Sequence, residues 1–189
     1  GTFKSACRDD FVNEYEIQED CTMNILAIDT CTEAASISLS ISGQKTSRVI
    51  LNHEKNSGHI LKLCDEVFDE ANIELNEIDA IVYTKGPGAF TGVRMCVGVV
   101  QGLSLARGIP TMGFSTLELL GYKTAISLNS EKIAIAVDAR MGEVYWAIYE
   151  HGSLLNERIC EPSNVDKLNQ DYIGVGSGWE PYKESLTLQ

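Results

Sequence analysis

The chain has 189 residues, of which 44% are hydrophobic and 22% charged, and a net charge of −12. This composition suits a globular protein with a real core and excludes a disordered chain. Its acidity argues against gripping RNA or DNA unaided, because phosphate neutralisation by Lys and Arg supplies most non-specific affinity.

Residues 1–22 hold six acids against two bases, begin without methionine and precede Met23. They read as an appended or atypical acidic extension, and Met23 as the expected native start. The opening does not read as a signal peptide. The longest apolar candidate, 93–106, is interrupted by Arg94, Gln101 and Ser104, so no membrane span is expected. Six cysteines, at 7, 21, 31, 64, 96 and 160, form no C-x-x-C pair and have no metal-ligand spacing. They read as reduced cytosolic thiols, several of them small core residues.

From Met23 the pattern reads β, β, β, α, β, α. Asn24 to Asp29 predicts a short buried strand, and Ala35 to Ile41 alternates apolar residues with serines. Gly43 then turns the chain into a third strand, Ser47 to Leu51. Ser57 to Ala71 places Ile60, Leu63, Cys64, Val67, Phe68 and Ala71 at helical spacing, with acids and Lys62 opposite. Ala80 to Thr84 is a β-rich run, and Thr91 to Arg107 is a proline-free helix stopped at Gly108.

The loop between these last two elements, KGPGAFTGVRM at 85–95, is neither a Walker loop nor a dinucleotide fingerprint, since its glycines stand at 86, 88 and 92. A glycine turn feeding a helix N-terminus presents backbone N–H groups and the positive end of a dipole, which suits an anion. The plainer reading is that Gly86, Pro87 and Gly88 only turn a strand into a helix.

Helix 91–107 carries two apolar faces. Met95, Gly98, Gly102 and Ala106 form one stripe, and Val93, Cys96, Val100 and Leu103 another. One face can cover a sheet; the small-residue stripe admits another helix, either 57–71 or one from a second protein.

A second unit begins with the capping box Ser115 to Glu118, followed by a strand from Lys132 to Asp138, with Asp138 at its end as Asp29 ends the first. Glu143 to Tyr149 and Ser153 to Cys160 pair as a hairpin around His151-Gly152, and Tyr172 to Val175 leads into a bend containing Gly174, Gly176 and Gly178. The repeated β-meander predicts an α/β, ribonuclease-H-like architecture of duplicated βββαβα lobes, at 23–114 and 115–189, with the second incomplete.

Nucleophile signals are missing: there is no G-x-S-x-G elbow, and Cys31 has no histidine close in sequence. His53 and His59 stand six apart, about 240° out of phase on a helix, so one metal ion would not take both.

IDTCTEAASISL at 28–39, KGPGAFTGVRM at 85–95, DARMGEVYW at 138–146 and GSGWEPY at 176–182 together resemble the bacterial TsaB (YeaZ) family. The resemblance implies an actin, hexokinase and Hsp70 type ATPase fold. It implies a cytosolic, non-catalytic partner of the catalytic protein TsaD in making threonylcarbamoyladenosine on tRNA, with no metal and no cofactor of its own. A TsaE-like ATPase would be the third component, a homodimer could form in the absence of TsaD, and tRNA would be reached only through the complex.

The first-lobe helices would then form the partner interface, with Met95, Gly98, Gly102 and Ala106 joined by Ile60 and Cys64. A vestigial nucleotide or phosphate site would draw on Asp29, Thr30, Gly86, Gly88, Thr91, Arg94, Asp138 and Gly176. Against this stands the reading of Asp29 and Asp138 as strand-terminal residues making turn hydrogen bonds, and of Arg140 pairing with Glu143. An autonomous ATP-dependent phosphotransferase using Asp29 and Asp138 is the enzymatic alternative.

Overall fold

A computed structural model describes residues 23–32, 34–51 and 57–186. The acidic segment 1–22 and His53 lie outside the described residues.

The first lobe contains β1 (Ile25–Asp29), β2 (Ala34–Ile41), β3 (Gln44–Leu51), α1 (Ser57–Ala71), β4 (Ala80–Thr84), α2 (Phe90–Arg107) and β5 (Thr111–Phe114). Its sheet runs β3-β2-β1-β4-β5: the meander is antiparallel, and β4 and β5 add in parallel. Helices are needed at the two parallel steps because such strands cannot be joined by a tight turn. The alternation read in β2 buries Ala35, Ile37 and Leu39 on one face, leaving Ser36, Ser38 and Ser40 on the other. Helix α1 lays Ile60, Leu63, Cys64, Val67 and Phe68 over β2 and β3, while α2 covers β1 and β4 with Cys96, Val99 and Val100. Each side chain so buried contributes about 1.5–3 kcal/mol.

The second lobe follows with α3 (Thr116–Leu128), β6 (Lys132–Arg140), β7 (Glu143–Glu150), β8 (Ser153–Cys160) and β9 (Ile173–Val175). The order β8-β7-β6-β9 repeats the first lobe: an antiparallel meander, then a strand parallel to its first member. The hairpins β2–β3, β6–β7 and β7–β8 each turn on an X-Gly pair, Ser42-Gly43, Met141-Gly142 and His151-Gly152, with both residues at positive φ. That is the backbone a two-residue turn needs to match the twist of its strands.

Two expectations change. Strand β5 adds to the elements read from the sequence, because four residues with Gly113 among them leave almost no pattern. The helix that joins β3 to β4 has no counterpart between β8 and β9, where the only regular piece described is a 3-10 turn at Pro162–Asn164. This stretch is tied down instead by Asp166, whose carboxylate accepts the indole N–H of Trp146 at 2.8 Å and the Arg158 guanidinium at 2.9 Å.

Helix α3 starts beside the first lobe and packs on the second sheet. The Ser115 cap forms as expected, but on the N–H of Leu117, and the Ser115 hydroxyl donates to Glu157 of β8 at 2.6 Å. Gly121 lets α3 lie directly on β7, since a Cβ there would fall 2.6 Å from Cβ of Tyr149.

Candidate functional site

The two strand-terminal aspartates occupy matching places. Asp29 Oδ1 accepts the Cys31 N–H at 2.9 Å and the Thr84 hydroxyl at 2.6 Å. Asp138 Oδ1 accepts the Arg140 N–H at 2.9 Å and the Tyr182 hydroxyl at 3.2 Å. In each lobe the carboxylate closes a turn onto the residue two ahead and takes one hydroxyl from a distant segment. Burial, together with the negative charge of Asp138, pushes the Tyr182 phenol above its ordinary value, so it stays a donor. Arg140 pairs with Asp138 at 3.5 Å; Glu143 is its strand partner across the hairpin.

The glycines beside these carboxylates allow close backbone approach. A Cβ on Gly88 would lie 2.3 Å from the Cys31 carbonyl oxygen, and one on Gly176 2.2 Å from that of Ala136. Gly174 packs against the Trp179 ring and Gly178 against Ala136, so packing accounts for the bend. Thr30 is fully buried and donates to the Gly92 carbonyl at 2.6 Å. Thr91 is exposed, and the Arg94 guanidinium stacks 3.6 Å over the exposed Phe90 ring. Asp29, Thr30 and Gly88 are therefore brought together at the end of β1, and Asp138 and Gly176 at the end of β6. Among the described residues no hydrogen bond or ion pair joins the two groups.

The helical face differs in kind. Gly98, Gly102 and Ala106 are exposed, and a Cβ at either glycine would meet nothing within 4 Å. Leu105, beside them, is 84% exposed. Met95 is half-buried and packs against the lobe's core.

Ile60 and Cys64 must be corrected. Both are packed into the lobe's core, at 0% and 1% exposure, so neither presents surface to a partner, and Cys64 only floors the groove beside Leu61. The spacing that marks a helix's apolar stripe marks the side its own sheet claims first. Among the described residues the exposed large apolar side chain of α1 is Leu61, 44% exposed. With Phe68, Ile73, Leu75 and Leu103 it lines a groove of about 440 Å³, whose rim includes Asp65 and Asp69.

Sequence reasoning missed Thr84, Tyr182, Phe90 and Leu105. Tyr182 stood inside a quoted motif, but nothing local ties it to a carboxylate 44 residues away.

The family described as "TsaD: tRNA N6-adenosine threonylcarbamoyltransferase" matches residues 50–173. The chain is 35% identical to the Escherichia coli (strain K12) protein named tRNA threonylcarbamoyladenosine biosynthesis protein TsaB, over 86% of this chain and 74% of that protein. The chain belongs to the TsaB family. A Haemophilus influenzae TsaB is 31% identical over 86% of this chain and 75% of its own length. The solved structure described as YeaZ from Pseudomonas aeruginosa superposes with a TM-score of 0.79 at 35% identity, covering 88% of this chain and 81% of that one. This TsaB-family chain thus has the two-sheet α/β fold read from its motifs. Among the described residues no helix is long and apolar enough to cross a membrane.

Proposed function

We propose that this protein serves in the synthesis of tRNA threonylcarbamoyladenosine as a non-catalytic subunit that docks on a TsaD-like catalytic protein and organises it. The relatives' shared name, tRNA threonylcarbamoyladenosine biosynthesis protein TsaB, supports the pathway. The observation that carries the docking role is the open stripe of α2: among the described residues Gly98, Gly102 and Ala106 are exposed, a Cβ at either glycine would meet nothing within 4 Å, and Leu105 beside them is almost fully exposed. Two glycines on one helical face let a second helix approach closely, and the apolar rim supplies area to bury. The first lobe, 23–114, would carry this surface, and the segment 115–189 would brace it. A TsaE-like ATPase would complete the assembly, a second copy would take the stripe when TsaD is absent, and tRNA would be held through the complex in the cytoplasm.

The reading is tested by mixing the purified chain with its TsaD-like partner and following complex mass. A stoichiometric species is expected, together with restored tRNA modification. No heavier species at micromolar concentrations would overturn it.

The autonomous phosphotransferase is the second reading, and Asp29 and Asp138 are its only candidates. Both already accept two hydrogen bonds from their own chain, which favours a structural role. Asp29→Asn and Asp138→Asn are expected to leave reconstituted modification within about tenfold, roughly 1.4 kcal/mol on the barrier. Mg²⁺-dependent ATP turnover by the isolated chain, lost in either variant, would favour the enzyme.

A further inference from the structure

The groove beside Leu61 is bordered by charge of one sign. Asp65 and Asp69 stand four residues apart on α1, both exposed and both lining the groove, and Glu74, on the loop that follows α1, adds a third carboxylate. The acids next to them on the same helix are already matched, since Arg48 of β3 pairs with Glu66 and Glu70, and Lys62 with Glu66. Among the described residues no ion pair or hydrogen bond reaches the carboxylate of Asp65 or Asp69. Like charges at this spacing weaken a helix, so α1 carries the pair against its own stability.

Between the carboxylates the groove is apolar, with Phe68, Ile73, Leu75 and Leu103 along it. Leu103 belongs to α2 and directly follows Gly102, so the groove continues the surface that Gly98, Gly102 and Ala106 leave open. Helix α2 itself carries no acid; its charges are Arg94 and Arg107, toward its two ends. The face is thus divided, with carboxylates along α1 and arginines on α2.

We infer, resting on the docking reading, that this groove receives an amphipathic helix of the partner protein, whose apolar side chains fill it and whose Lys or Arg residues meet Asp65 and Asp69. A helix is the fitting shape, because the glycines at 98 and 102 admit one closely and a groove beside helices takes anchors at i, i+3 or i+4, and i+7. Burial of the anchors drives association; the carboxylates decide which partner associates.

A second copy of the chain is a weaker match. It brings the same acids and a net charge of −12. If α1 met α1, Asp65 and Asp69 would face their own kind. If α1 met α2, the copy's two arginines would stand about 20 Å apart by helical rise, against carboxylates about 6 Å apart, so only one could reach the pair. The rim therefore selects a basic partner over self-association.

The test starts from Asp65→Asn combined with Asp69→Asn in the full chain. Both positions are exposed, so the melting temperature of this double variant should match or exceed the parent's. Its affinity for the TsaD-like partner should fall about tenfold at low ionic strength and lose most of its salt dependence, while self-association, followed by sedimentation, should strengthen. Glu143→Gln combined with Glu161→Gln, the same change in charge at the second sheet, should alter neither. A probe that needs no partner protein is a synthetic helical peptide with leucines at i, i+3, i+4 and i+7 flanked by lysines. It should bind the parent, bind the double variant weakly and fail on Leu61→Glu; the same peptide with glutamates for lysines should not bind. Equal affinity of the partner for parent and double variant would overturn the inference and leave the docking reading standing. A partner that never binds, while the lysine peptide is still captured at the groove, would sink the docking reading and keep the groove's preference for a basic helix. Lysine and glutamate peptides that bind alike would overturn the inference outright.

Discussion

A side chain at Gly88 has nowhere to go, since its Cβ would fall 2.3 Å from a backbone oxygen, whereas one at Gly98 would meet nothing. Gly88→Ala is therefore expected to cost about 1–3 kcal/mol or more, by forcing loop and strand apart. Gly98→Ala should instead stabilise by about 0.5–1 kcal/mol, because alanine restricts the unfolded chain and suits a helix interior. Urea denaturation midpoints moving in opposite directions would confirm the pair. Asp166 offers a pH test at the same scale. Burial alone would raise its pKa, but Arg158 and the Trp146 indole N–H hold it below the ordinary carboxylate value. A carboxylate depressed in the folded state stabilises above its unfolded pKa, about 3.9, and that stability is lost as pH falls through the lower folded value. Asp166→Asn should be less stable than the parent at pH 7, and the gap should close on acidification below about pH 4. An unchanged gap at low pH would assign the effect to packing instead.

At the scale of elements, Ser115 ties the start of α3 to β8. Its hydroxyl oxygen caps α3 through the Leu117 N–H, and its proton goes to Glu157 of β8. Glu157 reaches it because an irregularity in the β7–β8 ladder, with Asn156 at positive φ, breaks the regular alternation of that strand. Ser115→Ala is expected to lower stability by about 1 kcal/mol, the usual loss for a missing cap. Ser115→Asp keeps a capping oxygen but sets a second carboxylate against Glu157, so it should be less stable than the parent near neutral pH and recover on acidification. Thermal melts at two pH values separate the cap from the contact with β8.

For the whole molecule, the decisive surface is the one left uncovered. Gly98→Glu or Gly102→Glu puts a charge where a partner helix should pack, which costs several kcal/mol if the site is desolvated on binding. Because both positions are open in the chain by itself, each variant should keep a near-native melting temperature while losing the stoichiometric complex and tRNA modification. Gly102→Ala serves as the control and should retain binding. A sharp fall in melting temperature for the glutamate variants would instead place the stripe inside the folded lobe. Retained binding at native stability would move the partner to the groove beside Leu61.

The sequence by itself determined what local patterns can encode. The 3.6-residue spacing of Ile60, Cys64 and Val67 marked α1, the serine alternation marked β2, and X-Gly pairs marked two of the hairpins, because each is set by neighbours a few residues apart. The glycine loop and its flanking motifs identified the family for the same reason. Tertiary structure decided the rest. Periodicity shows that a helix has an apolar face but not what covers it, so Ile60 and Cys64 were assigned to a partner when their own sheet buries them. The carboxylates' partners were equally invisible, since Thr84 reaches Asp29 across 55 residues and Tyr182 reaches Asp138 across 44. Only folding brings such groups within hydrogen-bond range, and only there is it fixed which side of α2 is filled and which is left open.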